Sequence, residues 1–161
     1  MAKKFKTTRI TPTSFAGTTG DVDEVVFNPT EIPNAVFHNG GGSKLKSIVL
    51  IDYDDNQNDP LDLYFFQLGT NDMGALGAVI DITDAELLAN KCLGVISIPG
   101  VDNSDDDGGD VVNSRIYVKT NVDLIVQAED LSSSIFVACV AQASTLSSEA
   151  GKELVFGFEQ I

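Results

Sequence analysis

Tryptophan is absent from this 161-residue chain, histidine occurs once and cysteine only twice. His38, Cys92 and Cys139 are too few for a zinc site, which takes four Cys or His ligands. Each cysteine lies in an apolar run, so both are expected as reduced, buried core thiols rather than a disulfide or a reactive site. No serine sits in a Gly-x-Ser-x-Gly elbow. The glycine run Asn39-Gly40-Gly41-Gly42-Ser43-Lys44 precedes a strand pattern, whereas a phosphate cradle opens a helix. Paired carboxylates are plentiful but lie in turns, without the apolar pocket that raises one pKa for acid–base work. These absences argue against an enzyme and against a cofactor. Long charge-free apolar runs are missing too, and no apolar segment follows Lys3, Lys4 and Lys6, so neither membrane insertion nor secretion is expected.

Positive charge is the other scarcity. Ten Lys and Arg face 24 Asp and Glu, for a formal net charge of −14. Such a chain repels phosphate backbones, which argues against a nucleic-acid partner. The few cations are unevenly spread: Lys3, Lys4, Lys6 and Arg9 crowd the first nine residues with no acid among them. The expectation is a basic extended arm over 1–14 that lies on a negatively charged partner, followed by one domain over 15–161. A solvated terminus is the plainer alternative.

What is present is a succession of short β-type runs broken by turn residues. Val22 to Phe27 meets Asn28-Pro29, Ala35 to His38 meets the glycine run, and Lys44 to Tyr53 meets the polar stretch 54–60. Leu61 to Leu68, Val95 to Ile98, Val111 to Lys119, Val122 to Gln127, Ile135 to Ala143 and Glu153 to Glu159 follow. Thr83-Asp84-Ala85-Glu86 spells a capping box that opens one short helix near 84–91, with Gly94 as its exit. Strands at this spacing without an alternating helix rhythm predict an all-β, antiparallel, jelly-roll-like sandwich. Ile48 to Ile51, Tyr64 to Phe66 and Ile135 to Ala143 are apolar on both faces. They are expected in the middle of a sandwich or against a neighbouring copy of the chain.

The most acidic stretch is 101–110, where Asn103, Asp105, Asp107 and Gly108 imitate the start of a helix-loop-helix calcium loop. The twelfth position, where that loop needs a bidentate Glu, is Ser114. Asn103, Asp105 and Asp107 therefore stand as weak metal candidates only, and a solvated turn is the favoured reading.

Several segments, taken in order, carry a family resemblance. They are Gly20-Asp21-Val22, Ile32-Pro33-Asn34-Ala35-Val36, Gly41-Gly42-Ser43, Ser47 to Asp52, Leu61 to Phe66, Ile82 to Leu87, Leu93 to Ile96 and Leu154 to Glu159. The chain resembles the capsid decoration, or cement, proteins of tailed bacteriophages over roughly 15–161. The resemblance implies a jelly-roll-like sandwich on the outer surface of an icosahedral head, partnered by the major capsid protein and by itself, as a homotrimer. It implies no cofactor and no reaction, and it marks no individual contact residues. Lys3, Lys4, Lys6 and Arg9 are the candidate partner-binding residues from charge alone. Alternatives are another minor virion component or an adhesive, carbohydrate-binding sandwich, the latter disfavoured by the absence of Trp.

Overall fold

A computed structural model describes residues 4–17, 22–53, 60–99, 108–111, 114–142 and 151–161. The elements are β1 (Phe5–Ile10), β2 (Val25–Ile32), β3 (Gly42–Asp52), β4 (Leu61–Phe66), α1 (Asp84–Ala89) and β5 (Cys92–Ile98). They continue with β6 (Gly108–Val111), β7 (Ser114–Gln127), β8 (Ile135–Ala141) and β9 (Lys152–Gln160). They form a five-stranded sheet, β1-β9-β3-β7-β6, and a four-stranded sheet, β2-β8-β4-β5, with every pairing antiparallel. The chain switches sheets repeatedly, and only β4–β5 and β6–β7 are neighbours in both sequence and space. This is the expected antiparallel sandwich of jelly-roll type.

Alternation, shifted by one residue at the β3–β7 bulge, builds the core. Leu45, Ile48 and Leu50 of β3, Leu154, Phe156 and Phe158 of β9, and Tyr117 and Val126 of β7 point inward from the larger sheet. They meet Leu61, Leu63 and Phe65 of β4 and Ile135, Val137, Cys139 and Ala141 of β8. Phe65 and Phe156 join the two layers edge to face, with centroids 5.9 Å apart. The doubly apolar strands are indeed central: β3 lies between β9 and β7, and β4 between β8 and β5.

No neighbouring copy is needed to cover the second face of β4 and β8, contrary to one expectation from the sequence. The chain covers it with the β4–β5 connection. Phe66, Ala138, Val140, Val25 and Met73 form a second buried cluster, closed over by Ile80, Ile82 and Leu87. Polar clamps hold this lid. Asn28 Nδ2 donates to the Gly74 carbonyl at 2.9 Å while its Oδ1 accepts from the Met73 amide at 2.7 Å. Asn90, fully buried, donates from Nδ2 to the Asn71 carbonyl at 2.7 Å and accepts the Asn71 amide at 3.0 Å. The capping box is present at the start of α1, with the Glu86 amide donating to Thr83 Oγ1 and the Thr83 amide to Glu86 Oε2. The helix leaves through Lys91, which takes a positive φ of 54°. Gly94, expected as the exit, belongs instead to β5, where a Cβ would come within 2.9 Å of Leu124 Cδ1.

Turn residues prove to be bulges in two places. Asn28-Pro29 does not end its strand: β2 runs on to Ile32, with one register shift between Val25 and Phe27 and a second across the pair, between Phe27 and Thr30. Proline fits because β2 is an edge strand and the missing amide falls at a bulge. Likewise β7 is one strand from Ser114 to Gln127, where two runs were expected. The break at Asn121 is a bulge in which Asn121 and Asp123 take positive φ, a conformation their short polar side chains tolerate. Upstream, the run begun at Val111 reverses as the β6–β7 hairpin, with Val111 opposite Ser114. Ala35 to His38 is no strand at all. Ala35 and Val36 are buried in a loop whose Val36 amide bonds the Ser133 carbonyl. Of the two thiols expected in the core, Cys139 is buried and Cys92 is exposed at the first position of β5. Among the described residues no helix is long and apolar enough to cross a membrane.

Phe66→Ala is expected to destabilise the protein by about 3–5 kcal/mol in denaturant titration, because it empties the lid cluster. Leu88→Ala, on the exposed side of α1 with 78% of its surface open, should change stability by less than about 0.5 kcal/mol. The bonds from the Thr83 amide and hydroxyl hold the Glu86 carboxyl below its ordinary pKa. Its contribution is therefore complete above the ordinary Glu range and is lost as pH falls through the depressed value. Amide exchange in α1 should accordingly speed up on acidification below that range, and less so in Glu86→Gln.

Candidate functional site

The two sheets differ on their outer sides. The smaller sheet carries its lid. The larger sheet has no helix or strand of the described residues laid across it, and its outward side chains form a four-column field. The register gives the rows: Phe5–Glu159–Lys44–Ile125, then Thr7–Gly157–Ser47–Thr120, then Arg9–Val155–Val49–Val118. A shorter row, Glu153–Ile51–Ile116, completes it. Valine, isoleucine and threonine dominate because β-branched side chains suit a pleated surface. Ile125 is 61% exposed and Phe5 65%, while Val49, Ile51, Val155 and Ile116 are shielded only partly, by each other.

Two ion pairs lie on this field. Lys46, the bulge residue of β3, donates to Asp123 from β7, and Arg9 of β1 pairs with Glu153 of β9. The hydrogen bond to Asp123 also raises the Lys46 pKa, so its ammonium stays charged. Near the β1 edge lies a shallow depression of about 390 Å³ lined by Phe5, Lys6, Thr7, Lys46, Ser47, Gly157 and Phe158. It exists because position 157 has no side chain: a Cβ there would lie 2.4 Å from Ser47 Oγ. A partly apolar field with two internal ion pairs can adhere to a surface over area.

The basic residues singled out from the sequence are not gathered into a patch. Phe5–Ile10, inside the segment expected as an arm ahead of the domain, is a strand of the sandwich, laddered to β9 from Phe5 opposite Glu159 to Ile10 opposite Leu154. Alternation therefore sends Lys6 and Arg9 to opposite faces. Lys6 turns inward, donating to the Val36 carbonyl at 2.6 Å with its ammonium 4.3 Å from the Phe37 ring centroid. Burial lowers its pKa. Arg9 turns outward to Glu153, and Lys4 is exposed. Lys3 and the weak metal candidates Asn103, Asp105 and Asp107 lie outside the described residues. Among those described, no cluster of three or more His, Cys, Asp or Glu is placed to hold a metal. The outward field itself escaped residue-by-residue reading. Its signal was the doubly apolar character of Ile48 to Ile51, which does not say which of two faces stays bare.

No protein-family model matches the chain. No curated protein matches it either. Among solved structures it is similar to a chain from the X-ray crystal structure of tomato aspermy virus, with a TM-score of 0.42 and 9% identity over 99% of this chain and 78% of that one.

Introducing Val118→Asp together with Ile125→Asp should leave stability within about 1 kcal/mol of the parent, since both positions are exposed and neither supports the core. The denaturant midpoint measures it.

Proposed function

We propose that this chain is a non-enzymatic structural protein of a tailed-phage virion, a cement protein that binds the outer surface of the head and stabilises contacts between major capsid subunits. The observation that carries the reading is the outer face of the larger sheet, which no helix or strand of the described residues covers, on a sandwich that has used its own chain to cover the other. The segments between Gly20 and Glu159 that, in their sequence order, resemble decoration proteins point to a phage head as that surface. Its partly apolar side chains and two internal ion pairs favour contact over area, in which many weak contacts add up once the protein is tethered more than once. A homotrimer would supply that tethering, with three faces held at fixed spacing. The trimer rests on the resemblance alone, because β4 and β8 are covered by the lid and need no neighbour.

The basic segment takes a different role from the one charge suggested. β1 carries Phe5, Thr7 and Arg9 into the binding field, while Lys6 ties the strand to the loop at Val36. Removing residues 1–14 would thus strip a column from the field and expose β9 as an edge.

The test is decoration of purified heads. The parent should co-purify with heads at hundreds of copies per particle (roughly one trimer per local three-fold position) and as a trimer in solution. The Val118→Asp/Ile125→Asp variant should bind at least tenfold more weakly, whereas Leu88→Asp/Leu131→Asp, on exposed positions elsewhere, should bind as the parent does. Undiminished binding by the first variant would remove the face from the mechanism. A handful of copies per particle would point to a head–tail component instead.

A further inference from the structure

The inner face of the larger sheet ends in two charges. Asp52 closes β3 and Lys152 opens β9, directly opposite each other across the ladder. Their side chains are only 4% and 2% exposed, and Lys152 Nζ lies 2.6 Å from Asp52 Oδ2. The next inward pair on the same strands is Leu50 and Leu154, both buried. The buried Cys139 of the facing sheet lies within electrostatic range of both charges.

Two opposed charges are costly to take out of water, and desolvation favours the neutral form of each. The Lys152 nitrogen and an Asp52 carboxyl oxygen stand at hydrogen-bond distance, held there by two paired strands. Enforced contact of this kind replaces a bimolecular encounter with an intramolecular one. Exclusion of water removes the reactant that would reverse the reaction.

We propose that Lys152 and Asp52 condense into a side-chain amide, an isopeptide bond that locks β9 to β3. The Lys152 nitrogen attacks the Asp52 carboxyl carbon, a C–N bond forms and a C–O bond breaks, and one water leaves. Both protons of that water come from the original ammonium: the first moves to the carboxylate before attack, the second leaves nitrogen as the intermediate collapses. Net charge does not change, no oxidation occurs and no co-reactant is consumed. The neutral product replaces two desolvated charges and closes the chain covalently from residue 52 to residue 152.

Intact-mass measurement on the denatured full chain, after folding, tests this. The expected mass is one water below the sequence mass, and digestion should yield a branched peptide joining the segments that contain Asp52 and Lys152. Lys152→Arg keeps the charge but should restore the full sequence mass. Asp52→Asn should lose one ammonia in place of water, at the same linkage. Folded parent protein at its full sequence mass would overturn the proposal, and so would a water loss that maps to any other residue.

Discussion

A strand that is apolar on both faces has to be covered twice, and β4 and β8 impose that demand on everything around them. Their inner faces meet the larger sheet. Their outer faces, Phe66, Ala138 and Val140, would otherwise lie against water. The connection between β4 and β5 therefore does not take the shortest path. It returns across β4 and β8 as a lid, bringing Met73, Ile80, Ile82 and Leu87 down onto the exposed side. A connection that lies over an apolar surface must satisfy its own backbone, which is why Asn28, Asn71 and Asn90 spend their side-chain amides on it. The Asn28-Pro29 bulge has the same origin, since leaving the β2 ladder frees Asn28 to clamp Met73 and Gly74.

The asymmetry of the two sheets follows. The β4–β5 connection forms a lid over the smaller sheet, whose outer side carries Phe66, Val140 and Val25. The larger sheet presents valine, threonine and paired charges, which tolerate partial hydration. It is left open as a field, and its composition suits contact with another surface better than contact with solvent alone. Three cations near this field are engaged: Arg9 with Glu153, Lys46 with Asp123 and Lys6 with the Val36 carbonyl. Local pairing of this kind lowers the electrostatic cost of contact with another surface.

Most of the strand inventory was legible in the sequence because alternation and turn residues are local signals. β3, β4, β8 and β9 begin and end within a few residues of where their patterns place them. The capping box located α1 because its four residues bond one another and need nothing distant. The misreadings share one cause. Asn28-Pro29 and Asn121 look like chain breaks, and locally they are; neighbouring strands carry the ladder past them and turn each break into a bulge. Ala35 to His38 looks like a strand, yet it joins neither sheet, and Ala35 and Val36 are buried in a loop whose Val36 amide bonds the Ser133 carbonyl. Cys92 sits in an apolar run but falls at the first position of an edge strand, where its side is open.

Composition and periodicity alone determined the fold class, the central strands, the single capped helix and the strongly acidic character, because each depends on residues within a turn or two of one another. Which face of each sheet is covered depends on where a connection returns in space, and no local pattern encodes that. The same holds for the basic terminus: its charge was plain, but only pairing with β9 turned Lys6 inward and Arg9 outward. Asp52 and Lys152 are the clearest case. One hundred residues apart and unremarkable in sequence, they meet at 2.6 Å because two strands distant in the chain are neighbours in the sheet.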